Sequence, residues 1–210
     1  MRRPDLVLRV QYQSVMTRTV ALLSSTLILT TALSAQSFAG GTNSLGFGVG
    51  VGGFYRAYDS YSAQTPLFMF HYDRGTSVPV GPGVLGIGGY FGFKSLRYLS
   101  ESYYYTYDLR WTYWMFGLRG TYHWNSWHNN DKLDTYAGVS LGYNVVSFRD
   151  RSTYTSYYYN DLYRYNYSSR SALRGGAFVG VKYYFAGGFG VYAEAGPDVS
   201  LLTGGLTFKF

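Results

Sequence analysis

Eight stretches of this chain alternate strictly between two kinds of side chain. In 45–53, Leu45, Phe47, Val49 and Val51 alternate with Gly46, Gly48, Gly50 and Gly52. The same period recurs over 66–73, 84–95, 109–124, 134–147, 174–185, 189–196 and 202–210. A period of two sends successive side chains of a strand to opposite faces. One face is apolar and aromatic, with Phe91, Leu141, Val179 and Phe208. The other is Gly, Ser, Thr and Tyr with occasional charges, among them Gly86, Gly142, Lys182 and Glu194. A soluble sandwich would carry Lys and Glu on its polar face. A small polar face suits a packed interior instead, and the apolar face a lipid exterior edged with aromatics. Tilted strands of about 9–11 residues cross a bilayer. The expected fold is therefore all-β: an eight-stranded antiparallel up-and-down transmembrane β-barrel.

The composition agrees. Aromatics make up 20% of the 210 residues and charged side chains only 14%, against about 25% charged in an average soluble domain. That argues against disorder, and 27 Gly argue against helices. With no cysteine, a disulfide scaffold, a thiolate metal site and a cysteine nucleophile are excluded. Net charge is +7; setting aside the four Arg and one Asp of residues 1–39 leaves 14 basic and 10 acidic side chains, or +4. No dense basic block of the kind nucleic acid demands is present in the sequence.

Residues 1–39 read as an export signal: Arg18, then an apolar core over 20–29, then Ser37-Phe38-Ala39 as an A-x-A-like cleavage site, with Ala35 a second candidate and Met16 a possible true start. The barrel domain is expected over 40–210. Its connections alternate in kind. Those near 55–65, 97–108, 148–172 and 197–201 include Tyr-rich tracts, whereas those near 74–83, 125–133 and 186–188 carry turn chemistry such as Gly81-Pro82-Gly83 and Gly187-Gly188. Long external loops and short periplasmic turns have this arrangement.

The C-terminus ends on Thr203-x-Gly205-x-x-Phe208-x-Phe210. This resembles the signature by which bacterial outer-membrane barrels are recognised for assembly. With the export signal and the eight segments, residues 42–210 resemble the small eight-stranded barrels of the outer membrane protein A and X type. The resemblance implies the outer membrane of a Gram-negative envelope, the barrel-assembly machinery as a partner, and outer-membrane lipid and lipopolysaccharide as surroundings. Function does not transfer with such a fold.

Interior-facing charges are expected at Asp73, Lys94, Arg119, Lys182, Glu194 and Lys209. The barrel is narrow enough for side chains to fill it, so they are expected to form a paired network, with Glu194 meeting two or more of the basic residues. The alternative is an ion path. The histidines are His71, His123 and His128, with no carboxylate at ligand spacing and no evident Ser partner; no metal, cofactor or catalytic residue is assigned. The loop 149–171 holds seven Tyr with Arg149, Arg151, Arg164 and Arg170, a composition suited to an extracellular ligand or to lipopolysaccharide phosphates. The expected protein is a monomer with a structural or surface-interaction role, adhesion or recognition, and no catalysis. The alternatives are an exported lipocalin-like barrel holding a hydrophobic ligand and a lipid-modifying outer-membrane enzyme.

Overall fold

The computed structural model describes residues 37–53, 55, 61–103, 105–154 and 171–210. Residues 1–36 of the expected export signal 1–39, and most of the Tyr-rich loop, lie outside the described residues.

Among the described residues, ten strands form one antiparallel sheet: β1 (Asn43–Val51), β2 (Ala63–Gln64), β3 (Leu67–Val80), β4 (Gly83–Glu101), β5 (Tyr105–His123), β6 (Leu133–Asp150), β7 (Thr153–Tyr154), β8 (Ala172–Ala186), β9 (Phe189–Ala195) and β10 (Leu202–Lys209). Eight of them run in the order β4-β3-β1-β10-β9-β8-β6-β5, and β5 pairs back onto β4. The sheet is thus a closed eight-stranded barrel. The two-residue strands β2 and β7 are appended to the far ends of β4 and β5. The closing seam joins β1 to β10 from Ser44↔Lys209 to Val51↔Leu202. It continues to Phe210, whose N–H donates to the Asn43 carbonyl at 2.9 Å while Asn43 N–H donates back at 3.0 Å.

Two connections at the end bearing the termini are two-residue turns. Gly187 and Gly188 take φ of 49° and 87° between β8 and β9, the double positive φ that a type I′ hairpin requires. Gly81 takes φ 56° ahead of Pro82, between β3 and β4. The sequence placed this second turn in a longer connection, 74–83. Instead β3 continues to Val80 across a register shift between Gly75 and Pro79.

The opposite end is uneven. β4, β5 and β6 rise well beyond β1, β9 and β10, so 97–101 and 105–108, expected as loop, are paired strand. Their Tyr and Thr residues favour a pleated surface; β4 and β5 each have a partner on both sides over part of this length, and β6 pairs with β5 there.

The barrel interior also departs from expectation. Its terminal half is polar, but towards the raised end it is filled by an apolar cluster of Leu67, Met69, Leu96, Leu109, Trp111, Tyr113 and Met115 with Tyr90. These side chains share the inward parity of the polar ones. Inward glycines make room for the larger interior rings: a Cβ at Gly46 would overlap His71, and one at Gly180 would overlap Tyr136. Pairing small with large residues fills the narrow lumen.

Candidate functional site

The register converts the period-two pattern into two surfaces. Outward residues form a continuous apolar band: Ile87 is 63% exposed, Leu141 56%, Val179 61% and Leu206 63%. Large apolar patches are rare on soluble monomers; here the band encircles the barrel. Aromatics mark its borders, with Phe93 and Trp114 packed at 4.7 Å on the raised side and Phe189 and Phe208 at 4.5 Å on the terminal side. Inside, Gly86 and Gly142 are buried.

Four of the six expected interior charges are joined in one chain. Lys182 Nζ on β8 donates to Asp73 Oδ2 on β3 at 3.1 Å and to Ser44 Oγ at 3.0 Å. Asp73 Oδ1 lies 2.9 Å from Arg119 Nε. Arg119 Nη2 donates to Glu194 Oε1, which also accepts from the Tyr136 hydroxyl at 2.8 Å. The guanidinium rests on the Phe178 ring at 4.4 Å. The sequence expected Glu194 to gather several cations. The order is reversed: Arg119 bridges two carboxylates, and Asp73 bridges two cations. The fork of a guanidinium serves two acceptors at once, and the two oxygens of Asp73 likewise serve two donors, so the chain extends through both. Two positive and two negative charges leave the buried chain neutral, which makes its burial tolerable.

Lys94 and Lys209 stand apart from it. Lys94 Nζ donates to the Thr65 carbonyl at 3.1 Å and faces the Tyr55 ring at the raised mouth. Lys209 Nζ reaches the Ser37 carbonyl at 3.4 Å and lies over Tyr184 at the other mouth.

Asp134 was missed. It is the second residue of β6, directly opposite Lys182, and has the same parity as Tyr136, the signal that would have found it. Its carboxylate contacts His123 Nδ1 at 2.9 Å, and His123 Nε2 lies 3.0 Å from Thr121 Oγ1. This corrects the expectation that no carboxylate stands beside a histidine: His123 and Asp134 are eleven residues apart, and strand pairing brings them together, while the hydroxyl beside His123 is that of Thr121 and not a Ser. Phe38 stacks on the imidazole, so the relay is covered from the terminal mouth. His71 is buried against Tyr192, ring centroids 4.7 Å apart. Among the described residues, no group of three or more His, Cys, Asp or Glu side chains is placed to hold a metal.

The two mouths hold the cavities. One of about 250 Å³ is lined by Ser37, Phe38, Pro82, His123, Asn125 and Asp131. Another of about 120 Å³ is lined by Tyr55, Tyr90, Asn144, Arg174 and Asp198. Burial pushes the Asp198 carboxyl up, opposed by a hydrogen bond from Ser140.

At the C-terminus, Thr203 is buried against Ser200, and inward Gly205 lies opposite Gly48. Phe208 is half-buried between Phe189 and Phe210, and Phe210 is exposed.

The fold is an eight-stranded barrel of the transmembrane type. No protein-family model matches the chain, and no curated protein matches it significantly. Among solved structures it is similar to Ail, the attachment invasion locus protein of Yersinia pestis, in complex with the heparin analogue sucrose octasulfate. Identity is 12% over 81% of this chain and 99% of that one, with a TM-score of 0.41. The same Yersinia pestis protein in a phospholipid bilayer nanodisc gives 13% identity, the same coverages and 0.40. The N-terminal β-barrel domain of Pseudomonas aeruginosa OprF gives 15% over 82% of this chain and 98% of that one, with 0.37.

Proposed function

We propose that this protein is a monomeric structural barrel of the bacterial outer membrane, acting through its raised end on lipopolysaccharide or an extracellular ligand, without catalysis. The carrying observation is the pairing of an apolar band all round the outside with a neutral, side-chain-filled inside. A barrel so built is stable only with lipid against it. The lipocalin-like alternative needs a hollow interior and a wettable exterior; here the interior is filled by side chains, polar in one half and apolar in the other, and the exterior is apolar. Fractionation tests the reading: the protein is expected in outer-membrane fractions, released by detergent and migrating differently on gels before and after heating. Recovery in the soluble periplasmic fraction would overturn it. Planar-bilayer recording of purified protein is expected to show no stable nanosiemens conductance, because Arg119, Tyr136, Phe178 and Tyr192 occupy the lumen.

Phe208 and Phe210 are read as part of the assembly signal with Thr203 and Gly205, since their strand supplies one side of the closing seam. The Thr121–His123–Asp134 relay favours hydrolysis as a second reading. Thr121 and His123 are each almost wholly buried, and Phe38 covers the imidazole, so we assign the relay to anchoring β5 against β6. Lipid A mass before and after Thr121→Val decides between the two: an unchanged spectrum supports anchoring, and loss of a modification supports the enzyme.

A further inference from the structure

On the outer wall of the raised end, Arg97 of β4 lies directly opposite Arg110 of β5, and Arg110 directly opposite Arg149 of β6. Neighbouring strands place directly opposed side chains about 5 Å apart. Three arginines therefore stand abreast on three adjacent strands. Like charges so placed destabilise a sheet, and nothing in the fold demands arginine here. The local compensation is incomplete. Arg97 forks onto Asp108 with bonds of 2.7 and 2.9 Å, and the same bond holds the Asp108 carboxyl below its ordinary range. Arg110 and Arg149 are exposed and have no ion pair among the described residues. Arg151 follows at the next outward place, where its N–H donates to the Asp108 carbonyl. Four arginines thus face Asp108 and Glu101.

The height of the row identifies its partner. On the same outward face, Phe93, Trp114 and Val145 form the last apolar row, and Ser95, Thr112 and Ser147 the next. The arginine row follows. From Phe93 to Arg97 is four residues, about 13 Å along a strand and about 10 Å along the normal at a tilt of about 40°. The headgroup layer beyond the hydrocarbon is about 5–7 Å deep on each side. Arginine stems bend to meet it, keeping the guanidinium at the polar level. A guanidinium binds a phosphate by two parallel bonds, and a row of them suits a ligand with more than one phosphate. The aromatic belt directly below requires that ligand to be held in the same leaflet.

We propose that Arg97, Arg110 and Arg149, with Arg151, form a binding row for the phosphate groups of a phosphorylated outer-leaflet glycolipid, lipopolysaccharide. The assignment rests on the outer-membrane reading above and names the residues that would carry its lipid contact.

The test uses the full barrel purified in detergent, titrated with lipopolysaccharide and with the same material dephosphorylated, and followed by thermal unfolding and native mass spectrometry. Phosphorylated lipopolysaccharide is expected to raise the midpoint and remain bound, with the dephosphorylated form and millimolar inorganic phosphate giving no comparable shift. Arg110→Ala/Arg149→Ala is expected to weaken binding about tenfold or more, and Arg110→Lys/Arg149→Lys to weaken it less, because charge is kept and the fork lost. Arg74→Ala, at the other end of the barrel, is expected to bind as the parent does. Heat-modifiable migration of each variant shows that it has folded. Equal binding of both lipid forms, or unchanged affinity in folded Arg110→Ala/Arg149→Ala, overturns the proposal while leaving the membrane location intact. Failure of the parent to reach the outer membrane refutes the location instead.

Discussion

Phe38 lies flat on His123, ring centroids 3.6 Å apart and planes 9° from parallel. Phe38 is buried, and Ser37 beside it accepts a 2.8 Å hydrogen bond from Asn125 Nδ2. These residues fall within the segment that a cut after Ala39 would remove. A cut after Ala35 keeps them as a plug in the terminal mouth. The mature protein is therefore expected to begin at Gln36, which intact mass measurement reads directly. A mass corresponding to Gly40 would show that the plug is discarded. In the retained form, Phe38→Ala is expected to cost about 3 kcal/mol, the lower end for a buried phenyl ring.

Asp73 takes Lys182 and Arg119 at once. Asp73→Asn removes the carboxylate that contacts both Lys182 and Arg119, leaving Lys182 without an ion-pair contact while Glu194 still holds Arg119. Removing one partner of a buried pair costs about 3–5 kcal/mol. Urea unfolding in detergent should show a loss of that size, and Asp73→Asn/Lys182→Met should recover part of it because the surplus charge is gone. A neutral Asp73→Asn would mean that the chain of charges contributes no stability.

Gly46 is small because His71 occupies the space its side chain would need. Gly46→Ala should destabilise by about 1–3 kcal/mol, the usual cost of overpacking. His71 has no hydrogen-bond partner on either ring nitrogen among the described residues, so Gly46→Ala/His71→Ala should regain stability relative to Gly46→Ala. If the double variant is no better, the clash lies with the backbone.

Leu141 faces out and Gly142 faces in. Leu141→Arg puts a charge into the lipid-facing band, at a cost of about 2–4 kcal/mol near the midplane, and a reduced folded fraction on unheated gels is the expected result. Leu141→Ala should fold as the parent does. Equal folded fractions for Leu141→Arg and parent would place this face in water.

Deleting Phe208 through Phe210 removes most of the terminal half of the seam, where Lys209 and Phe208 meet Ser44 and Leu45. An open edge in lipid leaves several backbone groups unsatisfied, each costing several kcal/mol. Folded protein in the membrane should fall sharply. A small drop alone would make Phe210 one more aromatic of the girdle.

The barrel, its strand count and the parity of every strand were legible in the chain, because a period of two is a local property: each residue's face follows from its neighbours two places away. Phe91 and Leu141 faced out, and Lys182 and Glu194 in, as that rule requires. Which residues meet across the lumen was not legible. Arg119 and Glu194 are 75 positions apart, and their contact depends on the register and curvature of the whole sheet. The same holds for Asp134 against His123, for Phe38 in the mouth, and for the three arginines abreast, of which the chain marked only Arg149, and that as part of a loop where the structure has strand. Local alternation determines which way a side chain points. Only closure of the sheet decides what it meets there.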